Sequence, residues 1–447
     1  MAIGATCVWE VRSTATASNA NGGGYTSGGV DYSQQNAAQY NLTGVTTAAA
    51  DAILLHASAA SDMVGNIANI TGGTNFTVGR YEILSVVVGV SITLDRTCTT
   101  AAGSAGVVNI GGAISLGSSD DAFFESLVAG NTVHVKAGTY TIGGAVSMTA
   151  AGTAALPIEI IGYNAARNDT PGFASQPLLA FAANTSLFGA YVNFYNFNVT
   201  TTSVYGFNIG TASLARNCKS TNSSVSAGRQ AIFGNSANLV FGCEAVSTVG
   251  EALRLADDNG KAVGNYLHDS TNGIVGTTSP IGMIILGNIV DNCTASAINT
   301  GSTSNSVLIA NNTLYGNPTP AGTGIAMPAT TGRGCVVINN IISNFAIGID
   351  SNTSAPSNFF DYNNFFNNTT NRTNVNAGPN DTALDPGFTD AANGNFTIGA
   401  NLKAKGFPGA FPGGLTTGYL DIGAVQRVEP TGGGLLTNPG MSGGLRG

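Results

Sequence analysis

Charge is what this chain has least of: only 9% of its 447 residues are Asp, Glu, Lys or Arg, against about 25% in ordinary globular domains. A charge-coated globule is excluded. The 16 Lys and Arg face 24 acids, a net charge of -8, and no basic run exists that could follow a phosphate backbone. No nucleic-acid partner is expected. No stretch approaches the roughly 18 consecutive apolar residues of a membrane span, and the opening ten residues lack a positive segment followed by an apolar one. The expectation is a chain without secretion signal or membrane partner. Three histidines (His56, His134, His268) stand far apart, and six cysteines (Cys7, Cys98, Cys218, Cys243, Cys293, Cys335) show neither CxxC nor Cys/His spacing. Metal and cofactor are both read as none, and the cysteines as buried thiols.

What the chain does have is glycine, 61 residues, together with 43% hydrophobic residues, enough for a large core despite the low-complexity flavour. Four zones follow. Residues 1–50 form a Gly-rich lead-in or cap holding the single tryptophan, Trp9. Residues 51–112 read as about five short strands of a small antiparallel barrel or sandwich, with runs such as Ile83–Val88 and Ser91–Leu94 between turn residues. Residues 113–428 carry a repeat, and residues 429–447 form a Gly-rich tail too poor in apolar residues for a core of its own.

The repeat is anchored at Asn217, Gly242, Asn265, Asn288, Asn312, Asn340 and Asn364, spaced 25, 23, 23, 24, 28 and 24 residues, with a short apolar run before each anchor. No amphipathic helical stretch of ten residues interrupts it, so the unit is a coil of short strands stacking at about 4.8 Å. Stacked asparagines at one offset, Asn217, Asn265, Asn288, Asn312, Asn340 and Asn364, are expected to form an amide ladder. The fold class is therefore all-β: a parallel β-solenoid behind a small N-terminal β domain.

The run from Asn131 to Tyr163, the Asn-anchored turns and the closing stretch Leu384–Phe388, Asn395–Ile398 and Asp421–Gln426 resemble right-handed parallel β-helix proteins of the pectate-lyase-like class. The lead-in motifs Trp9–Arg12, Gly22–Tyr25 and Asp31–Ser33 ahead of a β domain are similar to β-helical virion proteins of tailed bacteriophages. That resemblance implies a spike, tail fibre or capsid decoration: a homotrimer in the virion, attached to other virion proteins through its N-terminal domain or C-terminal tail and contacting host surface glycans. The class also contains enzymes, so a polysaccharide lyase or glycosidase acting on bacterial surface polysaccharide is the alternative, and a surface adhesin is a third.

Cleavage of a glycan needs carboxylates facing one cleft, or a cationic base with acids around it. Between residues 200 and 350 the acids are Glu244, Glu251, Asp257, Asp258, Asp269, Asp291 and Asp350. The densest group nominates Glu251, Arg254, Asp257 and Asp258 as catalytic candidates, while Arg229, His268 and Asp291 are candidates for glycan binding. Counted from the anchors, His268 and Asp291 share offset three, and Arg229 and Arg254 share offset twelve. Against this stands a structural reading: Asp257–Gly260 is a good turn sequence, and adjacent strand residues point to opposite faces. Phe359, Phe360, Tyr362, Phe365 and Phe366 could stack on sugars or fill the core.

Overall fold

The computed structural model describes residues 8–11, 13, 17–18, 38–64, 67–111, 114–116, 121–144, 146–165, 169–182, 185–186, 189–277, 280–301, 304–317, 319–327, 333–351, 357–407 and 420–427. The tail at 429–447 and the lead-in motifs at 21–25 and 31–33 lie outside them. The chain divides into two compact units, Met1–Asn198 and Val199–Gly447. Among the described residues no helix is long and apolar enough to cross a membrane.

The first unit contains a closed antiparallel barrel in the order Ala38–Thr47, Ile53–Leu55, Ser91–Leu94, Gly79–Val87, Ile67–Phe76, Thr99–Gly111. Alternation builds it: Ile92 and Leu94 point inward while Ser91 and Thr93 do not, and they join Leu42, Val45, Ile70, Tyr81 and Val108 in one core. Gly106 stands where a Cβ would fall 2.7 Å from the Phe76 ring, so a side chain there would push that ring aside. The barrel begins at Ala38, not at 51, because Ala38–Thr47 pairs along its length with Thr99–Gly111 and closure needs it. The lead-in is likewise more than a cap. Its Val8–Val11 lies parallel to Thr132–Lys136, on which Ile158–Tyr163 and then Val192–Tyr195 stack in register. Trp9 is fully buried, donates from Nε1 to Asn131 Oδ1 at 3.2 Å and meets Phe123 edge-on at 5.4 Å.

The second unit is a right-handed parallel β-helix with three faces. The first face runs from Leu214–Arg216 to Phe359–Asp361 and the third from Tyr205–Ile209 to Thr370–Thr373. The second face comprises Lys219–Asn222, Glu244–Ser247, Tyr266–His268, Ile289–Asp291, Thr313–Tyr315, Ile341–Ser343 and Asn364–Phe366. Each face sends apolar columns inward. Ala215, Val240, Ala262, Ile285, Ile309 and Val337 stack on the first, and Ile232, Leu253, Ile274, Ile298, Ile325 and Ile349 on the third, all buried. Phe365 belongs to the inward column of the second face, so it fills the core.

The corner between the first two faces explains the Asn and Gly excess. Asn217, Gly242, Gly264, Gly287, Asn311, Asn339 and Tyr362 occupy it with φ of +52°, +61°, +62°, +65°, +55°, +59° and +56°. Left-handed backbone favours glycine and asparagine, and every rung needs one such residue. The amide ladder stands one residue later. Asn265, Asn288, Asn312, Asn340 and Asn363 form it: each accepts at Oδ1 from the backbone N–H of the rung before, and from Asn288 onward also from that rung's Nδ2, at 2.9 to 3.1 Å. Each Nδ2 also donates to a backbone carbonyl one rung back, as Asn312 does to Ile285. Asn217 is therefore a corner residue, not a ladder member. Asn364 lies one past the column, and its Oδ1 accepts instead from Thr382 Oγ1 and Leu384 N. Cys218 and Cys243 are free, buried thiols at the ladder position of their rungs.

Replacing Asn312 with alanine removes the acceptor of the Asn288 N–H and the donor to Ile285 O, both buried, and is expected to cost about 3 kcal/mol. Asn311→Gly, at a left-handed residue whose Oδ1 has no partner, is expected to change stability by less than about 0.5 kcal/mol. Thermal melting of the two variants beside the parent checks the contrast; equal losses would remove the ladder from the account.

Candidate active site

Along the second face two outward columns stand side by side. One holds Lys219, Glu244 and Tyr266, the other Val246, His268, Asp291 and Tyr315. Register thus brings the charged residues of four rungs together. Glu244 Oε1 lies 2.8 Å from Lys219 Nζ and 3.2 Å from His268 Nε2. The other ring nitrogen, Nδ1, is 2.7 Å from Asp269 Oδ2, whose second oxygen accepts from Asn292 Nδ2 at 2.7 Å. Tyr266 stacks on the imidazole at 4.3 Å and donates to Asp291 Oδ2 at 3.4 Å. Asp291 sits directly above His268 on the next rung.

These contacts split the acids. Burial works against charge on Glu244, but hydrogen bonds from His268 and Lys219 and their positive charges outweigh it and hold the carboxyl down to about 2. Burial pushes Asp291 up to about 6, with Asp269 adding to the rise and His268 opposing it. Burial disfavours the charged form of His268, yet the hydrogen bonds to Glu244 and Asp269 and both their charges raise its pKa. The face therefore carries an ionised Glu244, and its carboxylates favour the imidazolium form of His268. Asp291 is protonated in mild acid.

Beyond Asp291 the C-terminal segment covers this face. Ile289, Thr313 and Ile341 point outward and are nonetheless buried. Tyr315 meets Phe388 and Phe396 at 5.9 and 5.5 Å, Ala424 N donates to Thr313 Oγ1 at 3.0 Å, and Ile398, Leu402 and Ile422 pack on Ile341. The cover explains why Asp291 is desolvated. On the other side of the cluster the Lys219 and Asp269 side chains keep 37% and 55% exposure.

The residues nominated from the local acid density are arranged differently. Glu251 is buried on the third face and bound by Arg254, whose Nε lies 2.5 Å from Oε2 while a second nitrogen holds Oε1. Gln230 Nε2 donates to the same Oε2 at 3.2 Å. Asp257 and Asp258 are exposed turn residues, and Asp258 Oδ1 caps Ile281 N at 2.8 Å. Arg229 and Arg254 do not stack: Phe233 is the register partner of Arg254, because the turn before Gln230 is longer than the turn before Glu251. Tyr362 is a corner residue meeting Phe407 at 5.4 Å, which leaves Phe359, 46% exposed, as the open aromatic of that run. Glu244, Lys219, Tyr266 and Asp269 were missed. Counting from Cys218 and Cys243, rather than from the residue before each, would have placed Glu244 beside Tyr266. Among the described residues no three His, Cys, Asp or Glu side chains are arranged to hold a metal ion.

Comparison with known proteins gives a partial family match and likenesses at low identity. A family model described as a domain of unknown function (DUF5123) matches residues 307–409, less than half of the chain. The pectate lyase Pel9A superposes with a TM-score of 0.46 at 14% identity, over 69% of this chain and 90% of its own. A polysaccharide lyase of family PL6 from Pseudopedobacter saltans gives 0.37 at 14% identity, over 51% and 62%. A GH87 α-1,3-glucanase from Streptomyces thermodiastaticus gives 0.32 at 12% identity, over 81% and 92%. No curated protein matches the sequence.

The Asp291 shift sets a stability test. Its carboxyl titrates near 3.8 unfolded and about 6 folded, so the folded state carries the full cost of its charge above pH 6 and none below about 3.8. Asp291→Asn is expected to stabilise the protein by about 1 to 3 kcal/mol at pH 7.5 and to be neutral at pH 3.5. Melting curves at the two pH values check the sign; a pH-independent effect would mean that Asp291 is not desolvated.

Proposed function

We propose that this chain cleaves glycans by hydrolysis, with Asp291 as general acid and Glu244 as the ionised carboxylate opposite it. The observation that carries this reading is the pair itself: two carboxyls on one outward face, on either side of His268, one held to about 2 and the other raised to about 6. Divergent environments of this kind assign the acid and the charge stabiliser of a glycosidase. Asp291 gives its proton to the leaving glycosidic oxygen as the C–O bond breaks. Glu244, too weak a base to take a proton from water, stabilises the positive sugar carbon, and water adds there and returns a proton to Asp291. The stacked Tyr266 ring borders the space a sugar would occupy. A neutral polysaccharide fits better than an acidic one, since Arg254 is committed to Glu251 and Lys219 to Glu244 on a chain of net charge -8.

A second reading, a structural and receptor-binding protein of a bacteriophage particle, is favoured by the barrel. Leu55, Leu84, Val87, Val88 and Val90 are 44%, 53%, 59%, 67% and 54% exposed, and Leu55 and Val87 flank Ser91 across paired strands. An apolar surface of this size suits assembly, as a homotrimer or on other virion proteins. The readings are compatible in a spike that also cleaves its receptor glycan.

Incubation with soluble neutral polysaccharides is expected to release reducing ends. Glu244→Gln and Asp291→Asn should each lower the rate at least about 100-fold, while Asp257→Asn, at an exposed turn, stays within a few-fold. The rate should fall about tenfold per pH unit above 6, where Asp291 loses its proton. Loss of activity in Asp257→Asn alone would overturn the assignment, and unsaturated, ultraviolet-absorbing ends from uronate polymers would replace hydrolysis by elimination. Antibody labelling of phage particles in electron micrographs tests the particle reading, which unlabelled particles would remove.

A further inference from the structure

The third face of the second unit carries a group of side chains that the carboxylate cluster does not use. Phe207, Ile232 and Leu253 are fully buried in its core, whereas Tyr205 and Phe233 are not. Both are half-buried, with ring centroids 4.9 Å apart and planes tilted by 53°. Arg254 follows Phe233 in register on the next rung. Its guanidinium is held flat by the two oxygens of Glu251, which Gln230 fixes in turn, while Gln230 Nε2 also bonds Gly228 O at 2.8 Å.

From this arrangement we infer a glycan-binding platform made by Tyr205, Phe233 and Arg254, separate from the catalytic cluster and independent of the cleavage reading. The ring faces present apolar area to the C–H faces of pyranose rings. The guanidinium has five N–H donors, of which the Glu251 oxygens take two, and the others can reach sugar hydroxyls. Successive rungs offer these groups at intervals of about 4.8 Å, comparable with the repeat of a sugar chain laid along the face. Because Glu251 neutralises Arg254, the platform selects hydroxyl-rich, neutral chains over polyuronates. The Glu251–Arg254 pair thereby has a role that its burial alone does not give it: it holds a planar donor rigidly beside two aromatic rings.

Affinity electrophoresis tests the platform, with the Asp291→Asn chain run through gels containing a soluble β-1,3-glucan, a galactomannan or polygalacturonate. The neutral polymers are expected to retard the chain and polygalacturonate to leave it unretarded. Phe233→Leu, which keeps apolar volume but loses the ring, and Tyr205→Ser should each weaken retardation at least about tenfold at an unchanged melting temperature. Phe233→Trp should restore it. Equal retardation of parent and Phe233→Leu, retardation by polygalacturonate alone, or none by any polymer would each overturn the inference.

Discussion

Vertical register governs this molecule: whatever stands at one position of a rung lies about 4.8 Å from its equivalents above and below. A like charge repeated in such a column would repel itself along the whole stack, whereas amides and apolar groups gain from repetition. The low charge content and the Asn, Gly, Ile and Val excess are two results of this constraint. The left-handed corner shows its local form, for each turn needs one residue that tolerates positive φ. The amide following that corner satisfies backbone groups that the bend would otherwise leave buried and unpaired.

Where charges do occur together, the same register makes them neighbours. Lys219, Glu244, His268 and Asp291 come from rungs more than 20 residues apart in sequence, yet stacking sets them within reach of one another. Opposite signs alternate through Lys219, Glu244 and His268, so those charges support each other. Asp291 comes next, at the edge of a cover made by Phe388, Phe396 and the strand-like segment behind them, and burial there outweighs the attraction of the imidazolium. Two carboxyl groups thus acquire different acidities from burial and neighbouring charge.

How far the site could be read from the residues depended on counting. His268 and Asp291 share an offset because both rungs are anchored by ladder asparagines, Asn265 and Asn288, and the register pairs them. Glu244 escaped because its rung carries Cys243 at the ladder position, so anchoring on Gly242 displaced the whole rung by one residue. The end of the ladder went wrong for the same reason, since Asn363 and Asn364 are both asparagine and only hydrogen bonding separates them. Glu251 and Arg254 attracted notice as a dense local pair, and density in sequence here meant an ion pair three residues apart along one strand.

The sequence by itself determined the architecture: a period near 24 residues, short β-branched runs and one Gly or Asn per corner leave little but a coil of stacked strands, because that pattern buries its apolar residues in no helix or flat sheet. Tertiary structure alone decided which acids meet. Turn lengths differ from rung to rung, so the loop before Gln230 shifts Phe233 rather than Arg229 beside Arg254, and only the folded register shows it. The cover over Ile289, Thr313 and Ile341 comes from residues some 50 to 110 positions downstream, and with it comes the desolvation that sets Asp291 apart. Acidity depends on burial and on neighbouring charge, and neither is a property of local sequence.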